Sequence, residues 1–99
     1  MAITVYFHAK GMTLDQFKES HRRLDAVGTA AAAPPGRLHH SCFGDDGDLM
    51  VYQVWESPES FQAFGATLMP ILAEIGIDPG EPSIMALHRL EQTSDSQTT

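Results

Sequence analysis

The sequence predicts an α+β domain in which two strand–helix–strand units share one four-stranded antiparallel sheet, with strand order 4-1-3-2 and two helices on one face. Three observations predict this fold. Strand-like segments lie at both ends of the domain, two segments carry apolar residues at helical spacing, and two further strand-like segments flank a short turn rich in Gly and Asp. The order β-α-β-β-α-β in 99 residues is that of a ferredoxin-like fold.

The first unit begins with residues 3–9, where β-branched and aromatic residues alternate with a period of two, as in a strand. Thr13, followed three positions later by Gln16, forms a capping box, and apolar residues recur at helical spacing from there to Gly28. His21 lies on the apolar stripe of this helix.

The middle of the chain is predicted to form a connection and a hairpin. Residues 28–36 hold two adjacent prolines after a run of alanines, so we expect a connection that could contain one helical turn. Residues 38–43 and 49–56 resemble strands and flank the sequence GDDGD, which suits a tight turn.

The second helix has a clear start and a disturbed middle. Ser57 is a helix cap followed by a proline, and apolar residues continue at helical spacing until Gly76. Pro70 lies inside this pattern, so we expect a kink or two shorter helices divided near residues 67–69. Residues 83–90 are predicted to form the fourth strand.

Composition limits the classes of partner. Six Lys and Arg against thirteen Asp and Glu give a formal charge of −7, which argues against nucleic acid and anionic membranes. The N-terminus has no basic and apolar leader, and the lone Cys42 cannot form an internal disulfide, so we expect a cytoplasmic protein. We expect one domain over residues 1–91 and a polar, disordered tail over residues 92–99.

The third strand predicts a partner for the sheet, because it is apolar on both faces. One face carries Leu49, Val51 and Trp55, and the other carries Met50, Tyr52 and Val54. The two helices can cover only one face. We therefore predict a homodimer in which two sheets cover each other and close a barrel.

The segment VYQVWESPESFQAF, residues 51–64, resembles the signature of the antibiotic-biosynthesis-monooxygenase-like group of the dimeric α/β-barrel superfamily, where a strand ending in W-E-S runs into a helix with aromatic residues. PPGRLHH, a proline-interrupted helix and a histidine in the last strand resemble small actinobacterial-type members of unassigned activity. The resemblance extends over nearly the whole chain. It implies a dimeric barrel and activities that include cofactor-independent oxygenation of polyketide aromatics, haem degradation, isomerisation and cyclisation.

The sequence departs from two patterns within that resemblance. Haem-degrading relatives carry an asparagine on the first strand, a tryptophan in the second helix and a histidine about two turns later, where this chain offers residues 6–8, Phe64 and Ala73. The Asn, Trp and Arg of the cofactor-independent oxygenases are not reproduced either, because the chain has no asparagine. We expect no haem degradation and no cofactor.

The adjacent histidines are not predicted to chelate a metal. Consecutive strand residues face opposite ways, so His39 and His40 cannot both ligate one ion, and no metal site is expected. Pairing through the turn places His40 opposite Tyr52 or Gln53. Cys42 is interpreted as a small buried hydrophobe rather than a nucleophile.

One end of the sheet is predicted to collect three residues. Pairing through the turn places Arg37 near Trp55. A parallel pairing of the first and third strands would bring His8 to the same end.

The candidate acid–base residues are His21 and His40, because an imidazole that is neutral near pH 7 can remove a phenolic or enolic proton. The alternative for each is a core histidine with satisfied nitrogens, and for Trp55 a core position. The expected substrate-binding residues are Tyr6, His8, Tyr52, Trp55, Phe64 and His88.

The leading hypothesis is a small-molecule enzyme that oxidises or isomerises a small apolar or aromatic metabolite without a cofactor. The alternative is a non-catalytic protein that binds or sequesters such a ligand in the same pocket, and a haem binder would need an axial ligand that the sequence does not identify. A pocket histidine with an unsatisfied ring nitrogen would favour catalysis, whereas satisfied imidazoles in a closed interface would favour a structural role.

Overall fold

The computed structural model describes residues 1–91, so the predicted tail over residues 92–99 lies outside the described residues. In chain order the elements are β1 (Ile3–His8), α1 (Leu14–Val27), α2 (Thr29–Ala32), β2 (Arg37–Asp45), β3 (Asp48–Trp55), α3 (Pro58–Ile75) and β4 (Ser83–Ala86). The short α2 is the helical turn anticipated in the connection. β4 is shorter than predicted, although the Leu87 amide still donates to the Ala2 carbonyl oxygen at 2.9 Å.

The sheet order is β2-β3-β1-β4, which is the predicted order read from the opposite edge, and it confirms the ferredoxin-like topology. The predicted parallel pairing of the first and third strands is wrong, because β1 and β3 are antiparallel. The helical crossover makes β1 and β2 run the same way, and the hairpin then turns β3 against both. Ile3 therefore pairs with Trp55, while His8 pairs with Met50 at the other end of the sheet.

The hairpin between β2 and β3 fixes which histidine faces the helices. Arg37 pairs with Trp55 and His40 with Gln53, as predicted, and the register shifts between Arg37 and His39. Paired residues share a face, so His40 points to the helix side with Gln53, whereas His39 points to the other side.

The start of α1 is tied both to itself and to the hairpin. The Gln16 amide donates to the Thr13 hydroxyl oxygen at 3.1 Å, and the Gln16 side chain accepts from the Thr13 amide at 3.0 Å, which confirms the capping box. The Leu14 amide donates to Asp46 Oδ1 in the hairpin turn at 2.9 Å. This bond holds the first turn of α1 beside the tip of the hairpin.

α3 is continuous through Pro70, so the predicted division into two shorter helices is wrong. A proline removes one backbone donor, and burial of Phe64 and Leu72 on the same helix holds the segment together across it. Ser57 caps the first turn, and Gly76 ends the helix in a left-handed conformation. Within residues 1–91, no helix combines the length and the hydropathy that spanning a membrane would need.

Trp55 forms the centre of the core on the helix side of the sheet. It is fully buried, and its ring packs against Phe61 and Phe64 at centroid distances of 5.7 and 5.4 Å. Its indole N–H donates to Gln53 Oε1 at 2.8 Å. The two residues are two positions apart on β3 and therefore share a face, which makes this bond between buried polar groups possible.

The other face of the sheet is apolar, as the residue pattern of the third strand predicts, and it is open except at Val54, which is fully buried. No helix of residues 1–91 packs on this surface, which we call the open face. Phe43 and Met85 on it are 45% and 64% exposed. Tyr6 lies beside Phe43, with ring centroids 6.5 Å apart.

We expect Trp55→Phe to lower the free energy of unfolding by about 2 kcal/mol, because it creates a small cavity and leaves Gln53 Oε1 without its donor. Urea unfolding of Trp55→Phe, Gln53→Met and the double variant should give a coupling energy of about 1 kcal/mol or more. Strictly additive single effects would contradict the buried hydrogen bond.

Candidate active site

A cleft lies between the sheet and the two long helices, and it collects the polar groups of the protein interior. Its cavity volume is small, about 30 Å³, and the cleft opens to solvent at its mouth. The polar residues that line it are Ser20, His21, Arg37, His40 and Gln53, and the remaining walls are apolar. A few polar groups converging in an apolar cleft are typical of a small-molecule site.

His21 from α1 and His40 from β2 stack on each other in this cleft. Their ring centroids are 5.4 Å apart and their planes differ by 25°. The ring of Phe17 meets His21 edge-on at 4.5 Å and lies 6.1 Å from His40. Helical spacing places Phe17 one turn before His21, so α1 supplies both the histidine and the aromatic ring that supports it.

The cleft keeps both imidazoles uncharged at neutral pH. Burial lowers the pKa of His40 to about 4, assisted by the charge of Arg37 and by the neighbouring His21 and His39. Burial and Arg37 also lower the pKa of His21, while the carboxylate of Asp25 opposes that shift. Both rings are therefore proton acceptors at pH 7.

The ring nitrogens of the pair are free of protein partners. The histidine hydrogen bonds found among residues 1–91 belong to His8 and His39, and not to His21 or His40. No fully buried side-chain nitrogen or oxygen in this described part of the chain lacks a partner, so the unpaired nitrogens of the pair have access to solvent or to the cleft. Such nitrogens can accept a proton from a bound molecule.

Arg37 supplies a fixed positive charge at the same cleft. Its Nη2 donates to the Ala32 carbonyl oxygen at 3.3 Å, and its Cζ lies 5.6 Å from the centre of the Phe64 ring. Partial burial lowers the pKa of the guanidinium, which nonetheless stays charged at neutral pH. Its remaining N–H donors suit an oxyanion in the cleft.

The side chain of Gln53 is oriented so that its amide nitrogen can donate a hydrogen bond into the cleft. The Trp55 indole N–H occupies Gln53 Oε1, which fixes this oxygen as the acceptor and leaves the amide Nε2 as a donor. Gln53 is only 2% exposed, yet it lines the cleft. Two proton acceptors and two kinds of hydrogen-bond donor thus face one space.

The structure brings together three of the site residues that the sequence predicts, namely His21, His40 and Phe64, which all line the cleft. Trp55 lies behind Phe64 and is fully buried, so it occupies the core position that the sequence left as its alternative. It does not line the cleft, and its effect there is to orient the side chain of Gln53.

The other predicted substrate-binding residues do not line the cleft. Strand alternation places Tyr6, His8 and Tyr52 on the open face. His8 Nε2 lies 2.8 Å from Asp48 Oδ1 there, and not beside Trp55 as expected from a parallel pairing. His88 follows β4 and is exposed.

Arg37 and Gln53 were not identified as site residues from the sequence, although a signal for each was present. Gln53 is the polar residue between Val51 and Trp55 on the inward face of a strand that is otherwise apolar there. Arg37 is placed opposite Trp55 by the predicted pairing, at the end of the sheet that the helices cover. A polar residue at an inward position needs a partner or a ligand.

Metal ligands do not cluster in the described part of the chain. Among residues 1–91, no group of three or more His, Cys, Asp or Glu side chains could hold a metal ion. The opposite orientation of His39 and His40 is confirmed. Burial raises the pKa of the half-buried Cys42 thiol, so this sulfur stays protonated at neutral pH.

The topology and the cleft define a class of small α+β proteins in which one antiparallel sheet carries two long helices, with a cleft between sheet and helices. The chain is similar to the structure of SnoaB, a cofactor-independent oxygenase from Streptomyces nogalater, with a TM-score of 0.60 and 17% identity over 96% of this chain and 97% of that one.

Two further structures show the same similarity. A provisionally named antibiotic biosynthesis monooxygenase from Caulobacter crescentus gives a TM-score of 0.61 with 21% identity over 91% of both chains. Another from Chloroflexus aurantiacus gives 0.61 with 19% identity over 93% of this chain and 98% of that one. No family model and no curated protein match the chain. The fold is thus that of antibiotic-biosynthesis-monooxygenase-like proteins, which confirms the resemblance at the level of fold.

We expect the stability of the protein to fall as the pH drops from 6.5 towards 4. In this window the unfolded chain protonates His40, whose ordinary pKa is 6.5, whereas the folded chain does so only near pH 4. His40→Gln should remove about 1–2 kcal/mol of this pH dependence, less than the full linkage value because His40 is only partly buried. Urea unfolding from pH 7.5 to 4.5 measures it, with the exposed His88→Gln as the control. Parallel curves for His40→Gln and the unaltered chain would contradict the assignment.

Proposed function

We propose that the chain is an enzyme that binds a small apolar or aromatic metabolite in the cleft and removes a proton from a phenolic or enolisable group with His21 or His40. The observation that carries the proposal is the stacked pair of neutral histidines with no protein partner on their ring nitrogens. A structural histidine in a core would have its nitrogens satisfied.

Proton removal requires that the anion left behind be stabilised, and the same cleft offers groups for this. The Arg37 guanidinium and the Gln53 amide can donate to the oxygen of a phenolate or enolate. In a chain with a formal charge of −7, this cation gives the cleft a local preference for an anionic oxygen.

His21 is the better candidate for the base, and His40 for the group that orients the substrate. A base with a pKa of about 4 accepts a proton weakly, and Arg37 contributes to that depression at His40. Asp25 acts in the opposite direction at His21, favouring its protonated form. The anion formed on the substrate would further stabilise the protonated ring beside it.

Two reactions can follow the same proton transfer. If the protonated histidine returns the proton to a different carbon, the product is an isomer. If the carbanion instead passes electrons to dioxygen, a hydroperoxide forms at that carbon, and loss of water from it gives a ketone. The fold shared with SnoaB supports the second reaction, because that protein is a cofactor-independent oxygenase.

Hydrogen–deuterium exchange tests the proton transfer without any oxidant. We use 2-tetralone, an apolar aromatic ketone with acidic carbon-bound protons, and follow deuterium incorporation by NMR in D₂O at neutral pH. The protein should accelerate exchange over buffer, and His21→Gln should slow the catalysed exchange by about 10²–10⁴-fold.

The matched control for this experiment is His88→Gln, which changes an exposed histidine outside the cleft. It should leave the exchange rate unchanged. Binding of 2-tetralone without accelerated exchange would overturn the enzymatic proposal in favour of a sequestering protein. An oxygen electrode then separates the two reactions, since oxygenation consumes dioxygen and isomerisation does not.

We also propose that two copies of the chain pair through the open face. Its apolar members lie next to one another on three strands, with Phe43 paired to Met50 and Tyr6 paired to Tyr52. Burying these aromatic and methionine side chains against a second sheet removes apolar area from water, which is a main driving force for association.

Sedimentation equilibrium at micromolar concentration should report about twice the 10.8 kDa of one chain. Phe43→Glu places a charge on the open face and should give a monomer, because the charge would be desolvated in the interface. Leu14→Glu on α1 is the matched control, since Leu14 is 43% and Phe43 45% exposed, and it should stay dimeric. A single-chain mass for the unaltered protein would rule out the pairing.

A further inference from the structure

We infer that the ligand is an amphipathic molecule that occupies two adjacent compartments, with a weakly acidic head at the histidine pair and an apolar body under α3. The inference about the head group rests on the proposed function. The inference about the apolar body rests on the second compartment.

The second compartment lies between α3 and the loop of residues 77–82 that precedes β4. Its cavity volume is about 250 Å³, slightly below the usual range of small-molecule pockets. Apart from Gln53 and Gln62, its walls are apolar. It shares a wall with the cleft, formed by Phe7, Gln53, Leu68 and Leu72.

Gly65 is the residue of α3 that lines this compartment without a side chain. Glycine inside a helix is less favourable than alanine, so its presence in the middle of α3 needs a reason. A Cβ at position 65 would meet no other atom within 4 Å, so no neighbouring element requires a glycine there. The residue is helical without a positive φ, so the backbone does not require it either. The missing side chain leaves open space at a wall of the compartment.

The rim of the compartment is held in place before any ligand arrives. Ile77 is buried, and its amide donates to the Leu72 carbonyl oxygen at 2.9 Å. The Gly80 amide donates to Asp78 Oδ1 at 2.9 Å, in a loop that Pro79 also stiffens. A loop fixed in this way loses little conformational entropy on binding.

Gln53 lies where the two compartments meet, and this position defines the ligand. A hydroxyl or enol oxygen near the amide of Gln53 is within the space that the histidine pair and Arg37 also line. When this oxygen is attached to a ring, a group on the opposite side of the ring enters the apolar compartment. Ligands with a polar group at both ends are disfavoured, because burying the second polar group there without a partner is costly.

The test uses phenol, 4-ethylphenol and 4-butylphenol, with binding measured by calorimetry. In the unaltered chain the dissociation constant should fall by about twofold to fourfold for each added methylene, which is the gain from burying that group. Gly65→Leu fills the second compartment, so 4-butylphenol should then bind no more tightly than phenol. Gly65→Ala should give an intermediate dependence on tail length and keeps the test decisive if the leucine variant does not fold.

Ala66→Leu is the matched control, because residue 66 is an exposed neighbour on the same helix and lines neither compartment. It should keep the full dependence on tail length. Equal affinity for the three phenols, no binding of any of them, or an unchanged dependence in Gly65→Leu would overturn the inference.

The same titrations distinguish this inference from the proposed proton transfer. The proton transfer itself is read by the deuterium exchange of 2-tetralone described above. Phenol binding that depends on tail length, without accelerated exchange of 2-tetralone, would leave the two compartments standing and count against the histidine base. Accelerated exchange with no dependence of phenol binding on tail length would do the reverse.

Discussion

The structure depends on one constraint: polar groups in the cleft between sheet and helices must be partnered or uncharged, because apolar walls withhold water from them. Trp55 and Gln53 meet this constraint by bonding to each other. His21 and His40 meet it by remaining neutral. Arg37 alone stays charged, next to the Ala32 carbonyl oxygen and over the Phe64 ring. The fold thus creates proton acceptors and an anion-stabilising charge in one place, and both follow from burial.

Similarity to other structures shows the fold of this chain, whereas its chemistry depends on the residues that line the cleft. Folds of this kind accommodate different reactions. Structural similarity at 17–21% identity therefore shows the fold, and the residues that line the cleft must be read from this chain. The sequence lacks the asparagine of the cofactor-independent oxygenase pattern. Gln53 is an amide donor in a buried position, and it lines the cleft.

Strand alternation made much of the fold and part of the site predictable. It placed His39 and His40 on opposite faces, and it showed that the third strand is apolar on both sides. The residue pattern alone does not report how a helical crossover and a hairpin orient the strands. The predicted sense of the pairing between β1 and β3 is therefore wrong, and with it the predicted place of His8. The sequence marks Gln53 as a polar residue at an inward position, but only the structure shows that its partner is Trp55 on the same strand.

The chemistry of the cleft depends on the charge state of the stacked histidines. Proton and nitrogen NMR of the labelled protein, titrated from pH 8 to pH 4 and assigned with the His40→Gln variant, reads that state directly. The ring of His40 should remain neutral until the pH approaches about 4, and that of His21 should protonate below its ordinary value of 6.5. Titration of both rings at or above 6.5 would show that the cleft is wet and that burial does not set the chemistry of the site.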